Sequence, residues 1–294
     1  MALQSTALSD LIIVDKNYLN RINWRKELLA TQGSLVHNCL PPGRDAVREV
    51  YSFILGEYLP TRYPTMFQLT PDGSTFHNLV TGREYPSEAA ADGDMDAALR
   101  VIGENTDDDM FILRETPEGH VADAFMCCCP AGFDPYSKLG KLLKDIHKPV
   151  PSYEKIGKSM EKFFSRAEVG KGARRINWSI QTNDELFKYE PHATLANSGA
   201  DQKNEFRLEE AGRLTHAITY VRMELQTLTR LPKTRSLMFS FKTYLYPISE
   251  IKAEGTGPEL ATAIEGLKAG NAPGMWTYKG GAKWAERVCE YLRE

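Results

Sequence analysis

Arg222-Met223-Glu224-Leu225-Gln226, followed by the Leu231-Pro232 turn and the run Ser236–Pro247, reads as two extended segments folded back on each other. Side chains on a strand alternate faces with period two, so Arg222, Glu224 and Gln226 share one face while Val221, Met223 and Leu225 share the other. A fixed cation, a carboxylate and an amide therefore line up within about 14 Å of strand. The partner segment is rich in Phe and Tyr. Such a row is either the solvated half of an ordinary hairpin or one wall of a binding site. The hairpin is expected over Ile218–Thr229 and Ser236–Pro247.

Outward from this hairpin, further strand signals argue for an antiparallel sheet. Met110–Glu115 and Ala122–Cys129 flank the turn Thr116-Pro117-Glu118-Gly119. Phe67–Leu69 and Thr75–Val80 flank Pro71-Asp72-Gly73, and Arg175–Gln181 alternates well. Apolar residues at helical spacing predict helices over Asn17–Thr31, Arg44–Tyr58, Asp94–Glu104, Tyr136–Ile146, Tyr153–Arg166, Glu259–Gly270 and Lys283–Leu292. Pro60 and Pro64 are expected to end helix formation. Strands joined by tight turns and bracketed by helices give an α+β class rather than a doubly wound fold. Asp107-Asp108-Asp109 reads as a solvated cap region, and Glu190–Glu205 as an irregular loop near a pocket mouth.

Composition removes several function classes. The 294-residue chain carries a net charge of −3 with mixed signs, so nothing favours nucleic acid or an anionic membrane as partner. No apolar run approaches the roughly 20 residues of a spanning helix. The start lacks a basic segment followed by a long apolar one, so no signal peptide is expected. Five cysteines, three of them adjacent at Cys127–Cys129, make a poor disulfide framework and a poor zinc knuckle. They fit small thiols packed in a buried strand of a reduced, cytoplasmic protein. Gly-x-Gly-x-x-Gly after a strand, the phosphate-binding Gly-x-x-x-x-Gly-Lys-Ser/Thr loop, His-Glu-x-x-His and Gly-x-Ser-x-Gly are all absent.

One histidine stands out. In Ile146-His147-Lys148-Pro149-Val150-Pro151-Ser152-Tyr153, His147 follows an amphipathic stretch and precedes two prolines expected to hold the backbone extended. A neutral imidazole anchored at such a junction is a competent metal ligand, and equally an ordinary hydrogen-bonded residue.

These segments together resemble the heme-dependent oxidative N-demethylase family. The resemblance runs in order through Tyr58-Leu59-Pro60-Thr61-Arg62-Tyr63-Pro64, Asp109-Met110-Phe111-Ile112-Leu113, Cys129-Pro130-Ala131-Gly132-Phe133 and Lys138-Leu139-Gly140-Lys141. It continues through the His147 segment, Phe163-Phe164, Arg175-Ile176-Asn177-Trp178-Ser179, Arg222–Gln226 and Leu231-Pro232. It implies a PAS-like antiparallel sheet with flanking N- and C-terminal helices. One heme-binding domain would then span 1–294, with a helical part over 1–60, a core over about 61–250 and a helical tail over 251–294. The implied cofactor is heme b, and the implied reaction is oxidative N-demethylation of a small amine with O2 and electrons from a separate reductase.

Mapped onto matching positions, the resemblance makes His147 the proximal iron ligand, with His216 as rival. Arg175, Asn177 and Trp178 become candidates for contacting the cofactor. Glu224 would hold a protonated amine, Arg222 a propionate or the distal ligand, and Gln226 would line the pocket. The family's usual Arg-Val-Glu-Arg-Gln has Leu225 at its fourth position here. Alternation turns that position away from the polar row, but the change leaves the substrate open. An oxygenase of a larger secondary metabolite and a heme-based PAS gas or redox sensor are the alternatives.

Overall fold

The computed structural model describes residues 3–189 and 219–294. Its elements run β1 (Gln4–Thr6), α1 (Tyr18–Gln32), β2 (His37–Cys39), α2 (Arg44–Tyr51) and α3 (Leu59–Arg62), then β3 (Phe67–Leu69), β4 (Thr75–Asn78), β5 (Arg83–Pro86) and α4 (Met95–Gly103). The middle holds β6 (Asp108–Thr116), β7 (Gly119–Met126), α5 (Leu143–Ile146), α6 (Gly157–Ser165) and β8 (Gly172–Gln181). After the residues not described come β9 (Tyr220–Arg230), β10 (Leu237–Pro247), α7 (Ile248–Ala253), α8 (Gly257–Ala269), α9 (Gly274–Tyr278) and α10 (Gly281–Arg293). Helices and antiparallel sheet are mixed along the chain, as the α+β expectation has it.

The main sheet has seven strands in the order β1-β8-β9-β10-β6-β7-β2, and β3-β4-β5 form a small second sheet. All of the ladders are antiparallel. The β9–β10 register is continuous from Arg230↔Leu237 to Tyr220↔Pro247. Its turn is tied down from outside, because the Glu49 carboxylate accepts the backbone N–H groups of Lys233 and Thr234 at 2.6 and 2.8 Å.

Alternation divides the sheet into two unlike faces. Met110, Ile112 and Met238 pack with α1, α2 and α4 in one core. Ile180 and Val221, with Trp178 and Met223 against them, pack with the C-terminal helices through Trp284, Val288 and Leu292. The opposite face presents Phe111, Phe125, Leu228 and Phe241, with Leu139, Leu143, Ile146, Phe163 and Phe164 packed over it. Burying each large apolar side chain contributes about 1.5–3 kcal/mol, so this third cluster firmly seats the segment that carries His147.

Several local expectations are corrected. Asp107, Asp108 and Asp109 are not a solvated cap, since all three are buried. Arg21 binds Asp107, Arg25 binds Asp109, and the backbone N–H groups of Cys128 and Cys129 donate to Asp109 at 2.8 and 2.7 Å. The strand over Ala122–Cys129 stops at Met126, where those cysteine amides leave the ladder for Asp109. Tyr136–Ile146 is broken into a 3-10 turn and the four-residue α5, because Gly140 takes φ +71° between them. Such a conformation suits glycine and interrupts a helix.

Tyr153–Arg166 likewise divides into a 3-10 turn over Tyr153–Lys155 and α6. The helix over Arg44–Tyr58 passes from α2 into a π-helical turn at Ser52–Tyr58, then continues as α3. Pro60 does not end it: the helix changes from π to α at Leu59, and Pro60 stands directly after that change. Glu190–Glu205, His192 and His216 lie outside the described residues.

Candidate functional site

His147 closes α5. Its backbone N–H and its ring Nδ1 both lie within hydrogen-bond distance of the Leu143 carbonyl oxygen, at 3.0 and 2.9 Å. A carbonyl only accepts, so Nδ1 carries the proton and, in the neutral ring, Nε2 keeps its lone pair. Burial pushes the imidazole pKa down, with the positive charges of Arg175 and Lys138 adding to it, so the neutral form is favoured. The prolines after it do not extend the chain. Val150 donates to the His147 carbonyl at 2.8 Å and Tyr153 to that of Val150 at 3.2 Å, folding 147–153 into successive turns. Val150 N–H is the one amide between the two prolines, and it is spent on the turn.

The turns bring Tyr153 under the imidazole, with ring centroids 5.1 Å apart and planes within 8° of parallel. Gly157 makes room for this, because a Cβ there would sit 2.9 Å from the Tyr153 ring. The Tyr153 hydroxyl is buried with no hydrogen-bond partner, and burial pushes its pKa up to about 12.

The polar row is built by β8 and β9. Their register sets Arg175 opposite Gln226, Asn177 opposite Glu224 and Ser179 opposite Arg222. Arg175 Nε donates to Gln226 Oε1 at 2.6 Å, Gln226 Nε2 donates to Glu224 Oε2 at 3.0 Å, and Asn177 Nδ2 donates to the same oxygen at 3.1 Å. One carboxylate oxygen is thus held by two amides, while the other, Oε1, lies 3.8 Å from Arg222 Nε. Arg222 is held in place by the Cys129 carbonyl at 2.7 Å and Gln181 Oε1 at 3.3 Å, and its Nε is buried without a hydrogen bond. Thr243, opposite Glu224 on β10, also has a buried hydroxyl without a partner.

The His147 segment and the polar row lie on the same face of the sheet, since Ile146 packs in the apolar cluster that holds Leu228 and Phe241. Phe241 faces Gln226 across β9–β10 and continues the row into an apolar wall. Phe111 lies 6.4 Å from Phe241 and 5.8 Å from Phe125 in near-parallel stacks, and Phe133 and Phe239 are only partly buried against them.

Of the residues singled out in the sequence, Arg175, Asn177, Arg222, Glu224 and Gln226 come together, and His147 follows the segment packed on the same sheet face. Trp178 does not join them. It stands on the other face, packed against the C-terminal helices. Lys279, between α9 and α10, was not legible: its ammonium donates to the Trp178 carbonyl and lies 3.5 Å from Asn177 Oδ1. No motif marks it, and its place follows only from how the C-terminal helices wrap the edge of β8.

A heme needs an apolar slot, one axial ligand and cations for its propionates. A histidine with an available Nε2 and half-buried Arg175 and Lys279 suit the ligand and the propionates, and the packed apolar cluster of Phe111, Phe125 and Phe241 lies on the same face of the sheet. Among the described residues there is no group of three or more His, Cys, Asp or Glu placed to hold a metal ion. No helix is long and apolar enough to cross a membrane. A family model described as "Haem-dependent oxidative N-demethylase, alpha subunit-like" matches residues 2–289, nearly the whole chain.

Proposed function

The chain belongs to the heme-dependent oxidative N-demethylase alpha-subunit-like family, and on that premise we propose that it binds heme b through His147 and oxidatively demethylates a small amine held by Glu224. What supports this reading is a carbonyl-anchored imidazole whose segment packs, through Ile146, on the same apolar cluster as Phe241, opposite Gln226 of the carboxylate-centred polar row. The family description favours an oxidative enzyme over a gas sensor.

The side chains divide the work. His147 Nε2 would hold the iron, and the Leu143 carbonyl with the Tyr153 ring fixes the tautomer and orientation of the imidazole. Bound heme supplies the dioxygen chemistry that no side chain here can perform. Glu224 Oε1 accepts from a protonated substrate amine, because Oε2 is already taken by Asn177 and Gln226. Arg222 stands next to that oxygen and polarises the same pocket. The aromatic wall around Phe241 excludes water beside it. The expected products are the amine less one methyl group and an aldehyde. Electrons come from a separate reductase.

Hemin titration of the wild-type chain and of His147→Ala tests the reading. A saturable Soret band that the variant loses or shifts, with amine-dependent spectral changes in the wild type, is the expected result. A wild-type chain with no saturable band would refute it.

A further inference from the structure

Lys279 reaches the polar row at Asn177, which itself donates to Glu224, and it has no carboxylate within ion-pair distance among the described residues. Lys279 is half-buried, and its ammonium touches two oxygens, the Trp178 carbonyl and Asn177 Oδ1. The ammonium also lies over the Trp178 ring, 5.4 Å from its centroid; of its three donors, one is given to no oxygen among the described residues. Burial and the like charge of Arg175 hold its pKa down against the pull of Glu224, as expected of a cation that lacks a counter-charge.

Its backbone is rigidly placed. The Lys279 carbonyl accepts from Trp284 Nε1 at 3.2 Å, and Trp284 sits in the core shared with β8 and β9. The preceding α9 rests on the loop that follows His147: a Cβ on Gly274 would lie 2.9 Å from Pro151 Cβ, and Lys155 Nζ donates to the Asn271 carbonyl at 2.9 Å. The C-terminal segment therefore joins the iron-ligand loop to the open edge of the polar row, with Lys279 at the junction.

We propose that Lys279 is a carboxylate anchor of this site, completing its third hydrogen bond with an acid group of the bound molecule. That carboxylate has two possible sources, a heme propionate or an acid group on the amine substrate. The proposal rests on the heme reading above and adds to it a specific contact from the C-terminal helices.

Binding, not turnover, tests it. Hemin and hemin dimethyl ester are titrated into the wild type, Lys279→Met and Lys279→Arg, following the Soret band. N-methylglycine and N-methylethylamine, which differ in a carboxylate, are then titrated into the hemin-loaded proteins. If a propionate is the ligand, Lys279→Met weakens hemin by about tenfold or more, spares the ester, and Lys279→Arg restores most of the loss. If the substrate supplies it, hemin affinity holds and N-methylglycine alone weakens. Equal weakening of hemin and its ester, or no selective loss in either pair, overturns the proposal and leaves Lys279 a strut for the Trp178 carbonyl. A wild type that binds no hemin overturns the heme reading and this proposal together; hemin binding indifferent to Lys279 in both pairs overturns this proposal alone.

Discussion

The rings of His147 and Tyr153 lie 5.1 Å apart and within 8° of parallel, so the imidazole is held on one side by a flat apolar surface and at Nδ1 by the Leu143 carbonyl. The Tyr153 hydroxyl takes no part, being buried and unpartnered. Tyr153→Phe is therefore expected to leave stability and hemin affinity within about 0.5 kcal/mol of wild type. Tyr153→Leu loses the stack, about 0.5–1.5 kcal/mol, and broadens or shifts the Soret band. Equal behaviour of the two variants in hemin titrations would show that the stack does not orient the ligand.

Glu224→Gln keeps the shape of the side chain and removes its charge. The variant should bind hemin as the wild type does, yet lose about ten- to a hundredfold in amine affinity, the worth of a hydrogen bond to a charged group. Amine-induced spectral shifts measure this directly, and unchanged amine affinity would remove Glu224 from substrate binding.

Arg25 is fully buried. It reaches Asp109 at 2.8 Å, the Asp108 carbonyl at 3.0 Å and the Gly103 carbonyl at 3.2 Å. Removing one partner of such a pair strands the other charge. Arg25→Met is expected to cost about 3–5 kcal/mol, and the added change Asp109→Asn to recover part of that. Urea unfolding of the single and double variants tests the coupling; additive losses would deny it.

Asp108 sets a pH dependence. Burial raises its pKa from 3.8 to about 7, against the attraction of Lys242, and its Oδ2 is buried without a partner. The folded chain holds this proton near neutrality and the unfolded chain does not, so unfolding releases it between roughly pH 4 and 7. The Asp108 contribution thus becomes more destabilising as pH rises through that window. Asp108→Asn should gain stability relative to wild type over the same window and keep a constant advantage above pH 7. Thermal melts from pH 4 to 8 would show it; an advantage that shrinks as pH rises would contradict the assignment.

The hairpin of β9 and β10 was readable because its information is local: a period of two, a turn and a second period of two. The buried aspartates were not, since Arg21, Arg25 and Lys242 come from distant parts of the chain, and three acidic residues in a row look solvated when read alone. His147 was readable as an anchored junction residue. Its loop departs from the extended expectation, because two prolines favour extension in isolation whereas the Val150 amide between them closes a turn. Trp178 shows the opposite case. Parity alone separates it from Asn177, so the strand pattern sets its place on the other face although the motif puts the two side by side.

That parity has a practical corollary. Along β8 and β9 even and odd positions answer to different masters: Arg175, Asn177, Arg222, Glu224 and Gln226 make up the polar row, while Trp178, Ile180, Val221 and Met223 clamp the helical layer. A combinatorial library confined to the first set would explore new amine specificities on an undisturbed chassis. Randomising the second set would tune thermal tolerance with the recognition chemistry left as it is.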